Sequence, residues 1–294
     1  MADPIQTTWK LVDQFTKSSC YVGFDGRACN RLAKVVKEEA KSLPSPETIE
    51  IPEDKIYKFI LSELMAASVN YCYWYGAPDI RPNGASASRM YKLLRELFGQ
   101  IPDYDYTVDD IIKAFIRRLS EERFPLLEQR IKHLWQIRHS DFLSYFHLSR
   151  IHADPKREDL HHWLHLLITQ IPGMASDLFL KRAFLFFIQL YREAGWFADD
   201  IQDVPIPADY HMPRILAHYG CIGYSYELEN MIEAQRLIPS GSRIECEIRA
   251  QTLRACKRIA EKAEVKMCDV DTVLFFNHRK KPTTNFHLTV TTDY

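Results

Sequence analysis

Apolar residues recur along most of this chain at three- and four-residue intervals, the spacing of helices that bury one face. The pattern predicts a helix over 28–42, ended by the breaker Pro44-Ser-Pro46. Pro52 opens a stronger helix with Glu53 and Asp54 in its first turn, where acids suit the dipole, running on through Asn70 to Trp74. Further helices are expected near 85–98, 107–119, 121–149, 158–169, 176–194, 208–220, 225–236 and 243–262. Gly76 to Gly84, with Pro78 and Pro82, reads as a loop, and Asp154-Pro155 as a break. Residues 1 to about 27 read as a loosely ordered lead-in with a short strand near Tyr21–Phe24, and the tail His287–Thr292 alternates as a strand does. With no repeat or linker, the expectation is one mainly α domain over 1–294, with minor β near the termini.

Composition narrows the partners. The 294 residues can bury a sizeable core, and 38 basic against 39 acidic residues give a net charge of −1. Duplex nucleic acid calls for a basic excess or stripe that is missing here, which leaves single nucleotides as candidates. The seven cysteines are scattered without a Cys-x-x-Cys pair, as suits a reducing compartment. The first residues lack the basic and apolar regions of a signal peptide, and Ala183–Ile188 is too short to span a bilayer, so a cytoplasmic protein is expected. His161-His162-x-x-His165 places two imidazoles on one helical face, but no Glu completes a metalloprotease pattern and no acids cluster nearby. No metal and no cofactor are expected, since Gly-rich nucleotide loops and nucleophile elbows are also missing.

Four stretches could carry chemistry. Pro205 and Pro207 stiffen the backbone just before Asp209, and Pro213 sits in the first turn of the following helix. Asp209 is thereby mounted on a rigid hinge, either to cap that helix or to act chemically. Lys181 shares a helical face with Leu178, Phe184, Leu185 and Ile188, so its ammonium must snorkel, meet an acid or lose its proton. Arg182 falls on another edge, toward Gln189 and Glu193, and reads as a salt-bridged rim. Asn70, Tyr73 and Trp74 would share a face of a helix, offering flat rings and an amide to a planar heterocycle, or simply ending a core helix in aromatics. Glu245 and Arg249 have the spacing of a surface ion pair, while Arg249 and the amides near Ser240–Ser242 could instead serve a phosphate.

Six segments, in order, resemble the queuosine salvage protein family. They are Asn70-Tyr-Cys-Tyr-Trp74, Lys181-Arg182-Ala183, Ala208-Asp209-Tyr210-x-x-Pro213, Leu216-Ala-His-Tyr-Gly220, Tyr224-Ser-x-x-Leu228 and Glu245-x-Glu247-Ile-Arg249-Ala250. The resemblance covers 176–258 well, 56–75 reasonably, and the tail from Asp271 only faintly. It implies a mainly helical fold related to helix-hairpin-helix DNA glycosylases, with Leu216–Gly223 as the hairpin. It also implies hydrolysis of queuosine 5′-monophosphate, releasing queuine for reuse in transfer RNA. On that reading Asp209 is the catalytic carboxylate, and Lys181 pairs with it and holds it ionised. Tyr71, Tyr73 and Trp74 stack on the base, Asn70 and Tyr210 place polar groups, and His211, Glu247 and Arg249 complete substrate binding. His211 replaces an Arg usual in the family, Gln189 stands where an acid is usual, and Asp199, Asp200 and Asp203 lie near enough to meet an amine. A helix-hairpin-helix enzyme acting on DNA and a non-catalytic helical scaffold or nucleotide-binding protein are the alternatives.

Overall fold

A computed structural model describes residues 2–46, 51–75, 84–100, 107–152 and 159–294. Most of the loop expected over 76–84 and the break at Asp154-Pro155 lie outside the described residues. The chain divides into two compact units, one of Met1–Ser45, Asp199–Val290 and Tyr294, the other of Pro46–Ala198 and Thr291–Asp293. Both are mainly helical, as the periodicity predicts.

The first unit is built on α13 (Arg243–Ala263), whose start is capped by Ser242. Helices α1 (Pro4–Lys17) and α2 (Gly26–Ala40) pack along it. The stretch read as a loose lead-in is therefore helical up to Lys17. Asp3 accepts from the Ile5 amide at 2.9 Å, Pro4 fills the first turn, and Ile5, Thr8 and Val12 make a buried stripe. That cap, proline and spacing were present in the sequence as a start signal. Strand β1 (Val22–Phe24) forms as expected and pairs antiparallel with β2 (Ile222–Tyr224), with Gly23 opposite Gly223. Each strand runs into a capped helix: Asp25 caps α2, and Ser225 caps α12 (Tyr226–Glu233). The two cap residues also donate across the pair, Asp25 to the Cys221 carbonyl at 2.9 Å and Ser225 to that of Tyr21 at 2.8 Å. Before β2 comes α11 (His211–His218), ended by Gly220 at φ +69°, and α14 (Met267–Val273) follows α13. The tail expected as a strand makes one isolated bridge, Leu288 with Leu237, among the described residues.

The second unit holds α3 (Glu53–Ser68), α4 (Ala87–Gln100), α5 (Val108–Glu121), α6 (Leu127–Arg138), α7 (Phe142–His152), α8 (Leu160–Gln170), the short α9 (Pro172–Ala175) and α10 (Lys181–Ala194). Phe184, Phe186, Phe187 and Ile188 bury α10 on nearly every side, against α3 and α8. The single helix expected over 121–149 is two. Pro125 and the left-handed Leu126 delay its start, and the Ser140 hydroxyl takes the Ile137 carbonyl at 3.0 Å, ending α6 before Asp141. The helix expected from 176 begins at Lys181. Asp177 accepts from the amides of Phe179 (3.0 Å) and Lys181 (2.8 Å), folding 177–180 into a turn that leaves Leu178 exposed.

One carboxyl in this unit is held against its preference. Burial, then Glu193 on α10, raise Glu63 on α3 to about 7, with Arg95 pulling the other way, and its Oε2 is buried without a hydrogen-bond partner. A carboxyl raised on folding binds more protons than its unfolded counterpart between about pH 4.5 and 7, so its contribution falls as pH rises through that window. Glu63→Gln should stabilise the fold above pH 7 by up to roughly 3 kcal/mol and flatten stability over that window. Urea unfolding at pH 5 and pH 8 measures it; equal shifts at both would assign the effect to packing.

Candidate active site

The residues named from the sequence fall in two clusters, one in each unit. In the second unit, α3 stops at Ser68 and Asn70–Trp74 is not helical, with Cys72 at φ +26°. The shared helical face expected for Asn70, Tyr73 and Trp74 is thus absent. What fixes the segment is Arg130 on α6, fully buried, which donates to the carbonyls of Val69, Tyr71 (2.6 Å), Cys72 (2.7 Å) and Pro125 (2.7 Å). Its guanidinium lies 4.4 Å from the Tyr71 ring centre and 5.2 Å from that of Tyr73. Backbone that cannot pair with itself must find donors elsewhere, and a planar fork with five N–H groups supplies several at once. Tyr71, Tyr73 and Trp74 are consequently buried, at 1–3% exposure, while Asn70 is half-buried.

Lys181 meets this segment. It is 3% exposed, and its Nζ donates to the Asn70 carbonyl at 2.7 Å and lies 3.4 Å from Asn70 Oδ1. Snorkelling to solvent, one of the options left by the sequence, does not occur. Asn70 Oδ1 also accepts from the Tyr73 hydroxyl at 3.2 Å, and the Gln189 amide donates to the Tyr91 hydroxyl on α4 at 3.2 Å. Arg182 is no rim residue. Buried at 1%, it donates to the Ser68 carbonyl at 2.7 Å, the Gly173 carbonyl and the Ser176 hydroxyl at 3.0 Å, and it meets His133 Nδ1 at 3.0 Å. Burial and that guanidinium push His133 down to about 3, so its neutral ring accepts from Arg182. Gly173 is required where it stands, because a Cβ there would meet Gln136 Oε1 at 2.6 Å and His133 Cδ2 at 2.7 Å.

In the first unit, Asp209 sits between two anchors. The amide of Ala208 donates to the Ile206 carbonyl at 2.8 Å, closing a tight turn about Pro207, and the His211 amide donates to Asp209 Oδ1 at 2.7 Å. One carboxylate oxygen therefore serves the start of α11, as the capping alternative expects, and the side chain is half-buried. Tyr210 and His211 pack edge-on to Phe286, both with ring centres 5.0 Å away. Arg249 on α13 is 2% exposed; its Nε donates to the Ala208 carbonyl at 3.1 Å and its Nη1 to Glu245 Oε1 at 3.3 Å. The expected surface pair of Glu245 and Arg249 is real but buried. Glu245 Oε2 accepts from the Gly241 amide at 3.1 Å, which engages one of the amides considered for phosphate. Glu247 is buried as well. Its Oε2 accepts from Ser19 (2.9 Å) and the amides of Cys20 (2.9 Å) and Tyr21 (2.8 Å), and its Oε1 from Arg243. Burial would raise that carboxyl, but these donors, led by Tyr21 and Arg243, hold it below the usual range. It clips the turn before β1 onto α13. Two residues that sequence reasoning missed thus shape the clusters, Arg130 and Tyr91; neither lies in a recognisable motif.

Arg130→Met would strand the four carbonyls and should cost roughly 3 kcal/mol or more of unfolding free energy. Denaturant titration checks this, and a loss below about 1 kcal/mol would mean those carbonyls find other donors.

Residues 177–290 match the family model described as queuosine salvage protein. A Dictyostelium discoideum protein named queuosine 5′-phosphate N-glycosylase/hydrolase is 37% identical over 97 residues, 31% of this chain and 30% of its own length. Proteins of the same name from Schizosaccharomyces pombe and Sphaerobacter thermophilus are 25% identical over 187 residues and 28% over 224. Those matches cover 57% and 65% of this chain, and 52% and 65% of the two relatives. The chain thus spans less than two thirds of each of these curated relatives. The matched region contains Lys181, Asp209, Glu247 and Arg249, and over it the chain is similar to the queuosine salvage protein family.

Proposed function

We propose that this protein hydrolyses the N-glycosidic bond of queuosine 5′-monophosphate, releasing queuine for reuse in transfer RNA. The names of the three relatives support the substrate, and the mounting of Asp209 supports the chemistry. As the C1′–N bond lengthens, its electron pair leaves with the base and the ribose gains oxocarbenium character. Water then adds to C1′, giving up one proton, while the departing base gains one. A carboxylate aimed at C1′ stabilises that cation, or takes the proton from the water. Asp209 is the candidate, because its side chain is half-buried on a backbone held from both sides.

The substrate sharpens the demand. A 7-deazapurine has no nitrogen at position 7, so protonation there cannot ease its departure. More of the barrier falls on cation stabilisation, and hence on Asp209. Lys181, the other catalytic residue that the resemblance implies, has its ammonium fixed through the Asn70 carbonyl. Of the residues named for substrate binding, Asn70 and His211 are half-buried, which favours them for direct contact. Tyr71, Tyr73 and Trp74 in the second unit, and Tyr210, Glu247 and Arg249 in the first, are buried, which favours supporting roles over direct contact. The relation to helix-hairpin-helix DNA glycosylases is part of the proposal too. Its support is the sharp turn at Gly220, φ +69°, between α11 and the β2–α12 segment. Near-neutral charge favours a free nucleotide over a DNA substrate. Among the described residues, no helix is long and apolar enough to cross a membrane.

Asp209→Asn should fold and bind the nucleotide while losing about a hundredfold or more in turnover. Chromatography of released queuine reads it directly. Turnover close to wild type would remove Asp209 from the chemistry, and no queuine from the wild-type protein would remove the glycosylase reading itself.

A further inference from the structure

Arg249 is the residue whose expected role changes most once its contacts are known. Its guanidinium stands inside a knot of side chains in the first unit. Nη1 donates to Glu245, Nε reaches the Ala208 carbonyl at 3.1 Å, and the carbon of the fork lies 4.4 Å from the centre of the Tyr294 ring. The Tyr294 hydroxyl lies 3.4 Å from His287 Nε2. His287 is itself buried, and burial, then Arg249, push it down to about 3, so it is a neutral ring that adds no second charge. Tyr294 and His287 come from the tail, which the sequence showed only as an alternating stretch.

The Arg249 Nε bond leaves this knot for the loop that carries Asp209. Ala208 is the residue before Asp209, its own amide is already committed to Ile206, and the Asp209 side chain is committed to the His211 amide. Three hydrogen bonds on two consecutive residues fix both the peptide and the carboxylate. We propose that Arg249 is a positioning residue that aims Asp209 through the Ala208 carbonyl, with the Tyr294 ring as the platform beneath its guanidinium. The proposal rests on the glycosylase reading, and it replaces phosphate binding as the role of Arg249. A lysine cannot substitute. Its point charge lacks the planar fork that serves Glu245 and Ala208 together while stacking on a ring.

A double-mutant cycle tests it, with kcat and KM measured by queuine release from queuosine 5′-monophosphate. Arg249→Lys alone should lower kcat about tenfold to a hundredfold and leave KM within about twofold, since a slightly misdirected group loses rate before it loses ligand. Introduced into Asp209→Asn, the same change should cost almost nothing further, because the group it aims is already gone. Tyr294→Leu, which removes the platform and leaves the Arg249 hydrogen bonds in place, should show a smaller loss of the same pattern and covers the case in which Arg249→Lys does not fold. A raised KM with unchanged kcat would make Arg249 a phosphate ligand instead. Losses that multiply in the Asp209→Asn background, or a lowered melting temperature with kcat intact, would equally overturn the proposal. Full turnover by Asp209→Asn would overturn it too, whereas no queuine release by the wild-type protein would mark a failure of the glycosylase reading rather than of this one.

Discussion

Irregular backbone buried inside a helical protein leaves carbonyl oxygens that no ladder satisfies, and here buried arginines answer them. Arg130 serves Val69, Tyr71, Cys72 and Pro125; Arg182 serves Ser68 and Gly173; Arg249 serves Ala208. An unsatisfied buried carbonyl costs about 1–3 kcal/mol, so segments of this kind persist only where donors are built in. Arginine suits the task because its donors lie in one plane, its face stacks on aromatic rings, and its charge is spread enough to survive burial. Burial pulls Arg130 below the usual guanidinium range, with Tyr73 and Tyr71 opposing, and rings stand close to it on several sides.

The consequence is that Asn70–Trp74 and Asp209 sit on non-repetitive chain that buried arginines hold in place. Asn70 presents its carbonyl to Lys181 because Arg130 holds the residues on either side of it. Asp209 presents its carboxylate from a peptide whose neighbour is pinned by Arg249. Helices place side chains at fixed angles on a cylinder. Turns place them in directions a cylinder cannot offer, but need external support to keep them.

What could be read in advance follows the same division. Local signals gave α3, through Pro52, Glu53 and Asp54, and the spacing of apolar residues gave α13. The hinge at Pro205–Asp209 was visible because proline writes its constraint into the sequence. The Asn70–Trp74 segment was misread as helix because its departure depends on Arg130, about sixty residues away, and nothing local marks it. The pairing of β1 with β2 joins stretches two hundred residues apart, so only the first strand could be anticipated. The spacing of Glu245 and Arg249 identified their pairing correctly but not their burial, since i, i+4 geometry is the same on either face of a helix. Tyr91 and Tyr294 carry no motif; their roles arise from what folds against them.

For a reaction whose barrier is charge developing on a sugar, the direction of a carboxylate counts for more than its presence. A freely rotating aspartate spends most of its time pointing elsewhere, and reorienting it in the transition state adds to the barrier. Binding one oxygen to a backbone amide, as His211 does to Oδ1, removes most of that rotation while leaving the carboxylate's charge in place. The same bond would be wasted on a flexible loop, because the amide would move with the side chain. It becomes useful only when the peptide before Asp209 is held from the opposite side, which is the place where the Arg249 guanidinium arrives. On the proposed reading, the tight turn about Pro207, the α11 amide and the buried fork act as one device, because each fixes a different part of the same two residues.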